Sequence, residues 1–552
     1  MSPNSRFAYS LAFLSAWAAA ACVSAEPAKS PVDAKTAAAP HVLVTISKET
    51  TFVTGPLRSD GYVDYAGALN ESWRQGVTPE INSAVLFWQA VGPAEITGEH
   101  RDQYFKLLGM PRPPEKGDYF IPLDTFIGRL RAESGGDASP RAKELDGALE
   151  FVEAGERRPW SKRDFPALAD WLAANERPLA LVVEASRRPR RYDPVISGKD
   201  TLLIATLLPA IQQSRRVANA LAVRAMLRAG EGKIDAACDD LLAVHRLGRL
   251  ASQGPWLIDG LVGVAIDGIA DAGDQGLLQQ GRMSAVAARK MLAKLDNLPR
   301  LFNTADKIDI GERFSLLDAV GHIARNGIDS LSALTGSGNG SPKTAQAKEI
   351  SAAIAAEIDW DVVLRLTNSW YDRMVAAVGQ PTRRERARAT RAFDHELREM
   401  AANAQDWAAF IFPYLANPKK AVSQRVGAIF VALMLPAVDA ASVAEDRGEM
   451  QFEITKLGYA LAAYRAERGA YPAKLSEMVP KYMTAVPRDV FNNDELHYRV
   501  EGDGYLLYSV GMNGQDDGSR GYNDDKTGAG WDDLSLRVPN PTGGKRAAPL
   551  PP

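Results

Sequence analysis

The stretch that decides the reading is 450–533. It runs MQFEITKLGYALAAYRAERGAYP (450–472), then, after a proline-punctuated connector, ELHYRVEGDGYLLYSVG (495–511), then MNGQDDGSRGYNDDKTGAGWDD (512–533). In the first run Met450, Ile454, Leu457, Leu461 and Tyr464 recur at helical spacing and form one stripe, with Glu453, Lys456 and Arg465 off it. Gly469 is placed to stop that helix, with Pro472 just beyond. In the second run, segments 496–500 and 505–510 carry aromatic and aliphatic strand formers on either side of Glu501-Gly502-Asp503-Gly504, which is turn chemistry. The pattern predicts a helix burying its stripe on one face of a small antiparallel sheet.

The third run gathers Asn513, Asp516, Asp517, Asn523, Asp524, Asp525, Asp532 and Asp533 among glycines. Hard oxygen donors in that number suit Ca²⁺, which takes six to eight of them in flexible geometry. An EF-hand template begun at Asn513 fits in part, with Asp517 fifth, Gly518 sixth and Asp524 twelfth. The loop follows a strand rather than a helix, so that template fails on context. Composition alone supports a solvated polar loop as well as a metal site.

The order of parts resembles the C-terminal domain of the major pseudopilin of type II secretion systems. The phrases that carry the resemblance are YRAERGAYP (464–472), Arg488-Asp489-Val490-Phe491, and YSVGMNG (508–514), followed by the acidic loop. The resemblance covers about 85 residues. It implies a calcium-stabilised αβ module with Asn513, Asp516, Asp517, Asp532 and Asp533 as ligands. The chain departs from that family at Val490, where proline is usual, and in a longer loop from 518 to 532. It also lacks an N-terminal prepilin-peptidase site followed by a membrane-spanning helix. The internal run VGAIFVALML (426–435) ends at Pro436 after about ten apolar residues, half the length a membrane span needs. It reads as a buried core helix.

Balanced charge, 65 basic against 68 acidic residues for a formal −3, gives no field that would attract nucleic acid. Residues 1–25 read as an export signal: Arg6, an apolar run over 7–21, and Val23-Ser24-Ala25 before a cleavage site. Lipid attachment at Cys22 is the alternative to ordinary cleavage. After ordinary cleavage Cys238 is the remaining cysteine, so no intramolecular disulfide is expected. Cys238 shares a helix face with Ile234, Leu241 and His245, and reads as a buried structural thiol. The separation of Cys238 from His245, about 10.5 Å of helix rise, keeps the two from sharing a metal.

Between these ends the chain reads as helical. The run HVLVTISKETTFV (41–53) is β-like, with a turn at Asp60-Gly61. Thr78-Pro79 then starts a helix carrying Ile81, Val85, Trp88 and Val91 on one face, ended by Gly92. The phrase spanning 61–90 resembles one in large uncharacterised exported bacterial proteins. Segments 221–230 and 234–252 form a helix hairpin about Glu231-Gly232-Lys233, helices follow over 256–278 and 284–298, and TGSGNGSPKTAQ (335–346) is a linker by composition. Arg383, Arg384, Arg386, Arg388 and Arg391 read as a solvated face paired with Glu385, Glu396 and Glu399. His395-Glu396-Leu397-Arg398-Glu399 misses the HExxH zinc motif, because position 399 is glutamate. There is no G-x-S-x-G, C-x-x-C or P-loop.

The expectation is an exported, mainly α protein: signal 1–25, linker 26–41, helical body 42–425, a pseudopilin-like helix-plus-sheet module over 426–538, and a disordered tail 539–552. It is expected in the periplasm, cell envelope or extracellular space, without a transmembrane helix in the mature chain. The expected function is non-enzymatic: a body that binds a protein partner, and a C-terminal module stabilised by Ca²⁺. An exported hydrolase with its site in the helical body, and a secretion-system component, are the alternatives.

Overall fold

The computed structural model describes residues 42–133, 157–196, 202–205, 209–327, 330, 355–434, 438–524 and 529–539, apart from 97 and 282. The signal, the linker, the 335–346 stretch and residues 540–552 lie outside the described residues. Seventeen helices and three strands are described. The first six helices are α1 (Tyr65–Arg74), α2 (Ser83–Val91), α3 (Gly98–Leu108), α4 (Leu123–Glu133), α5 (Pro166–Ala174) and α6 (Glu176–Ser186). The central group is α7 (Pro209–Gly230), α8 (Ile234–Ala251), α9 (Leu257–Leu278) and α10 (Ala285–Asp296). Next, α11 (Thr304–Lys307) passes through a π turn, Ile308–Glu312, into α12 (Arg313–Asn326). The last five are α13 (Trp360–Val378), α14 (Arg383–Gln405), α15 (Trp407–Ala416), α16 (Pro418–Met434) and α17 (Val438–Arg468). Strands β1 (His497–Glu501), β2 (Gly504–Ser509) and β3 (Leu534–Val538) form an antiparallel meander in that order. The protein is thus mainly α with a small antiparallel sheet.

The helix hairpin α7–α8 turns at Gly232, whose φ of +78° is open to glycine at no steric cost. Helix α17 begins well before the stripe that announced it and stops at Gly469, φ +84°. Met450, Ile454, Leu457 and Leu461 are fully buried, but so are Thr455, Tyr459 and Ala460. The helix is therefore buried on more than the one expected face. A Cβ on Gly458 would lie 2.6 Å from Leu278 of α9 and 2.8 Å from Leu536 of β3, so this glycine lets α17 fit between helical body and sheet. One core runs continuously from α2 and α3 through α7–α10 into α17 and all the inward residues of β2 and β3. A second core surrounds α12, α13 and α16, where Val426, Phe430 and Val431 are buried. Among the described residues no helix is long and apolar enough to cross a membrane.

Two local expectations are corrected. Residues 42–53 form turns, not a strand. Ser47 N donates to Thr51 Oγ1 at 3.1 Å and Thr51 Oγ1 to Ser47 O at 2.9 Å, and Phe52 sits at φ +63°. Local side-chain hydrogen bonds of this kind compete with a strand ladder. The helix expected from Thr78 begins at Ser83, because Asn82 caps it by accepting from Ala84 N at 3.1 Å. Asn82 Nδ2 also donates to Tyr192 O at 3.0 Å, fixing that start against the body.

Helices α8 and α9 cross on glycines: a Cβ at Gly263 would stand 2.7 Å from Gly248 O and from Ser252 Cβ. Gly268, on the exposed side of α9, has nothing within 4 Å. Gly263→Ala should lower stability by about 1–3 kcal/mol through forced separation of backbones. Gly268→Ala should raise it by roughly 0.5–1 kcal/mol. Urea midpoints of the two variants moving in the same direction would contradict this crossing.

Candidate functional site

A dense cluster of ionisable groups is sealed in the core. Helix α8 supplies His245 and Arg249, α9 supplies Asp267, Asp271 and Asp274, and α17 supplies Thr455 and Tyr459. The spacing within each helix, four apart or three, puts these groups on facing sides. His245 Nδ1 lies 2.5 Å from Asp267 Oδ1, and Nε2 lies 2.8 Å from Asp274 Oδ2. Arg249 donates to the same Asp267 oxygen and, at 3.0 Å, to Pro299 O. Thr455 Oγ1 donates to Asp271 Oδ1 at 2.7 Å, and Tyr459 Oη to Asp274 Oδ1 at 2.5 Å. The Phe452 ring closes the group, 4.4 Å under the Arg249 guanidinium.

Burial alone would discharge His245, but Asp267 and Asp274 outweigh it and hold its pKa at about 10. Burial would likewise protonate Asp267, but His245 and Arg249 keep it below the usual carboxylate range. Asp271 goes the other way: burial and the adjacent Asp267 charge push it up to about 8. The histidine and arginine cations thus face the Asp267 and Asp274 carboxylates, while Asp271 keeps its proton at neutral pH. His245, Asp271 and Asp274 do offer ligand atoms within 4.8 Å of one another. A metal there would have to displace the His245 proton; with the proton in place the arrangement ties α8, α9 and α17 together. Cys238 is buried nearby as expected, and burial together with Asp274 pushes its thiol up to about 12.

The acidic loop is built by the sheet. Ser509 of β2 pairs with Leu534 of β3, so the loop leaves and re-enters at one place. Gly511, at φ +67°, allows the Asp532 backbone to approach, since a Cβ there would lie 2.3 Å from Asp532 O. Asp517, Asp532 and Asp533 converge, each with a carboxylate oxygen within 4.8 Å of the others. Their neighbours are mainly backbone amides: Ser519 N donates to Asp533 Oδ2 at 2.7 Å and Asn513 N to Asp532 Oδ2 at 3.1 Å. Asp532 Oδ1 is buried with no hydrogen-bond partner. Burial, with the charges of Asp517 and Asp516 beside it, pushes Asp533 up to about 6, and Asp532 shifts upward as well. A carboxylate trio with an orphaned buried oxygen, and with the pKa raised at Asp532 and Asp533, is a donor set suited to a hard cation.

The other two residues of the expected set are placed differently. Asn513 turns its Nδ2 to Asp517 at 2.9 Å and to Gly530 O at 3.0 Å, so it ties the loop with donors. Asp516 stands beside the trio but outside it, accepting from Tyr508 Oη at 3.0 Å and lying 3.7 Å from His497 Nδ1. Asp524 caps its own turn through Gly521 N at 3.0 Å. Elsewhere, Arg383 and Arg386 do not serve a solvated face: both bind Asp446 of α17. His395 and Glu399 are exposed on α14, 3.6 Å apart.

The core cluster gives stability a pH signature. Between about 6.5 and about 10 the folded chain holds a His245 proton that the unfolded chain has released. That contribution is fully present below pH 6.5 and is lost as pH rises through the folded value of about 10. Asp271, raised from 3.8 to about 8, acts in the same direction over its own window. Urea midpoints should therefore fall from pH 6.5 to 10, and His245→Gln should flatten that slope while costing about 3–5 kcal/mol at neutral pH. A flat profile in the parent protein would contradict the imidazolium.

No protein-family model matches the chain, and comparison with curated proteins and with solved structures returns no match.

Proposed function

We propose that this chain is an exported, non-enzymatic cell-envelope protein whose helical body binds a protein partner and whose C-terminal helix and sheet form a calcium-stabilised docking element. The observation that carries the reading is the convergence of Asp517, Asp532 and Asp533 with Asp532 Oδ1 left unpartnered. Calcium would supply the positive charge that this trio lacks, and these three side chains would hold it. The reading also draws on the resemblance to the major pseudopilin's C-terminal domain; in the structure a helix, α17, is followed by the β1–β2 hairpin and the loop.

Support for partner binding comes from α15. Its sequence, WAAFIFPYLA, holds no charge, yet Phe412 is 81% and Leu415 74% exposed, with Ile411 and Tyr414 also open. An exposed contiguous apolar surface on a folded body is the usual mark of an interaction site.

Calcium that binds only the folded chain stabilises it by mass action, about 2.7 kcal/mol at a hundredfold excess over Kd. Thermal unfolding of the mature protein should shift upward in calcium relative to chelator. Asp532→Ala and Asp517→Ala should abolish the shift, whereas Asp516→Ala should retain it. Ligand carboxylates must be deprotonated, so the shift should shrink as pH falls through about 6, the Asp533 value. No calcium-dependent shift at pH 7.5, in protein that unfolds cooperatively, would sink the metal reading.

A further inference from the structure

The exposed apolar surface of α15 continues into a basic one. Between Asp406 and Asp439 the sequence contains no acidic residue, while Lys419, Lys420 and Arg425 fall inside that interval. Arg425 is buried, its guanidinium 4.6 Å over the Phe410 ring, and so seats the inner side of α15 on α16. Ile411, Phe412 and Leu415 are exposed together on another side, spaced three and four residues apart. Tyr414 stands at the edge of that surface, its ring 5.3 Å from Phe410.

Lys419 and Lys420 follow in the first turn of α16, both exposed. Asn417 opens that turn, its Oδ1 accepting from Lys420 N at 3.0 Å. The amide end of a helix is positive and disfavours cations, so two lysines there cost α16 stability rather than adding to it. No carboxylate among the described residues pairs with either ammonium. An unneutralised basic end beside an uncharged, aromatic-rich helix with its apolar side chains in solvent is a combination that folding does not explain. It is complementary to a surface that is apolar within and anionic at its rim.

We propose that α15 and the first turn of α16 seat the helical body on an anionic lipid bilayer. The 10 residues of α15 give it about 15 Å of length, half the hydrocarbon thickness of a bilayer, so it lies in the interface rather than crossing it. Ile411, Phe412 and Leu415 enter the boundary between headgroups and acyl chains, and Lys419 and Lys420 reach the lipid phosphates. A protein interface surrounds its apolar centre with a hydrogen-bonding rim. The sequence of α15 offers no polar side chain but the Trp407 indole and the Tyr414 hydroxyl, the two groups that favour membrane interfaces. The proposal rests on reading α15 as an interaction surface and assigns that surface to lipid, leaving a protein partner to other faces of the body.

The test is co-sedimentation of the full chain with vesicles of phosphatidylcholine and phosphatidylglycerol in equal parts, and with vesicles of phosphatidylcholine alone. Chelator is present throughout, so the result stands apart from the calcium site, and either reading can fail without the other. Two double variants accompany it. Phe412→Asp with Leu415→Asp removes the apolar contact; Lys419→Glu with Lys420→Glu reverses the charge. The expected result is saturable binding of the mixed vesicles, weaker by roughly tenfold or more for phosphatidylcholine alone and for the lysine variant, and lost in the apolar variant. No vesicle binding, equal binding of the two compositions, or undiminished binding by either folded variant would overturn the proposal. So would self-association of the parent chain, without vesicle binding, that the apolar variant abolishes; α15 would then belong to a contact between two copies. Should the apolar variant fail to fold, the lipid composition and the lysine variant decide.

Discussion

An imidazolium with no access to water fixes the geometry of this molecule. His245 is fully buried, and its charge survives only because Asp267 and Asp274 stand on either side of it. Arg249 needs the same Asp267, while Asp271 and Asp274 take their remaining donors from Thr455 and Tyr459. Three helices that lie up to about 200 residues apart in sequence must therefore meet in one register. Displacing any of them strands a charge in the core, which costs several kcal/mol, far more than the loss of an apolar contact of equal size. Apolar packing drives the helices together, and this network decides how they meet.

Helix α17 is the element that this constraint carries into the rest of the fold. Thr455 and Tyr459 lock it to α9, and Arg383 and Arg386 of α14 reach it at Asp446. Gly458 then brings the sheet against the same helix. The acidic loop hangs between β2 and β3, so the positions of its carboxylates are set, through the sheet, by the buried network. The proposed calcium site is thus an edge of one ordered centre, which is how a site obtains the preorganisation it needs.

Much of the C-terminal architecture was legible in the sequence, because its signals are local. The stripe of Met450, Ile454, Leu457 and Leu461, the Gly469 stop and the hairpin turn each depend on spacing within one element. The third strand was not read, although Leu534, Leu536 and Val538 alternate with Ser535 and Arg537 as a half-buried strand should. Its five residues follow a long polar loop and are too short to stand out. The buried network went unread for another reason. VAIDGIADAGDQG places Asp267, Asp271 and Asp274 at helical spacing in an apolar run, a visible anomaly, but their partners lie on two other helices. For the loop, sequence supplied the residue types and the structure sorted them: Asp517, Asp532 and Asp533 converge, Asp516 serves Tyr508, and Asn513 acts as a tie. At 42–53 and 78–82 the sequence misled, since side-chain hydrogen bonds to nearby backbone overrode strand and helix propensity.

The functional claim stands on the loop being ordered by a cation on a scaffold that is already rigid. Hydrogen exchange read by mass spectrometry, on the full chain with calcium and with chelator, measures both halves at once. The account predicts that amides over 511–533 gain protection saturably with calcium, while those around His245 in α8 and Tyr459 in α17 stay slow in both conditions. Unchanged exchange over 511–533, or calcium-dependent protection spread evenly through the helical body, would contradict it.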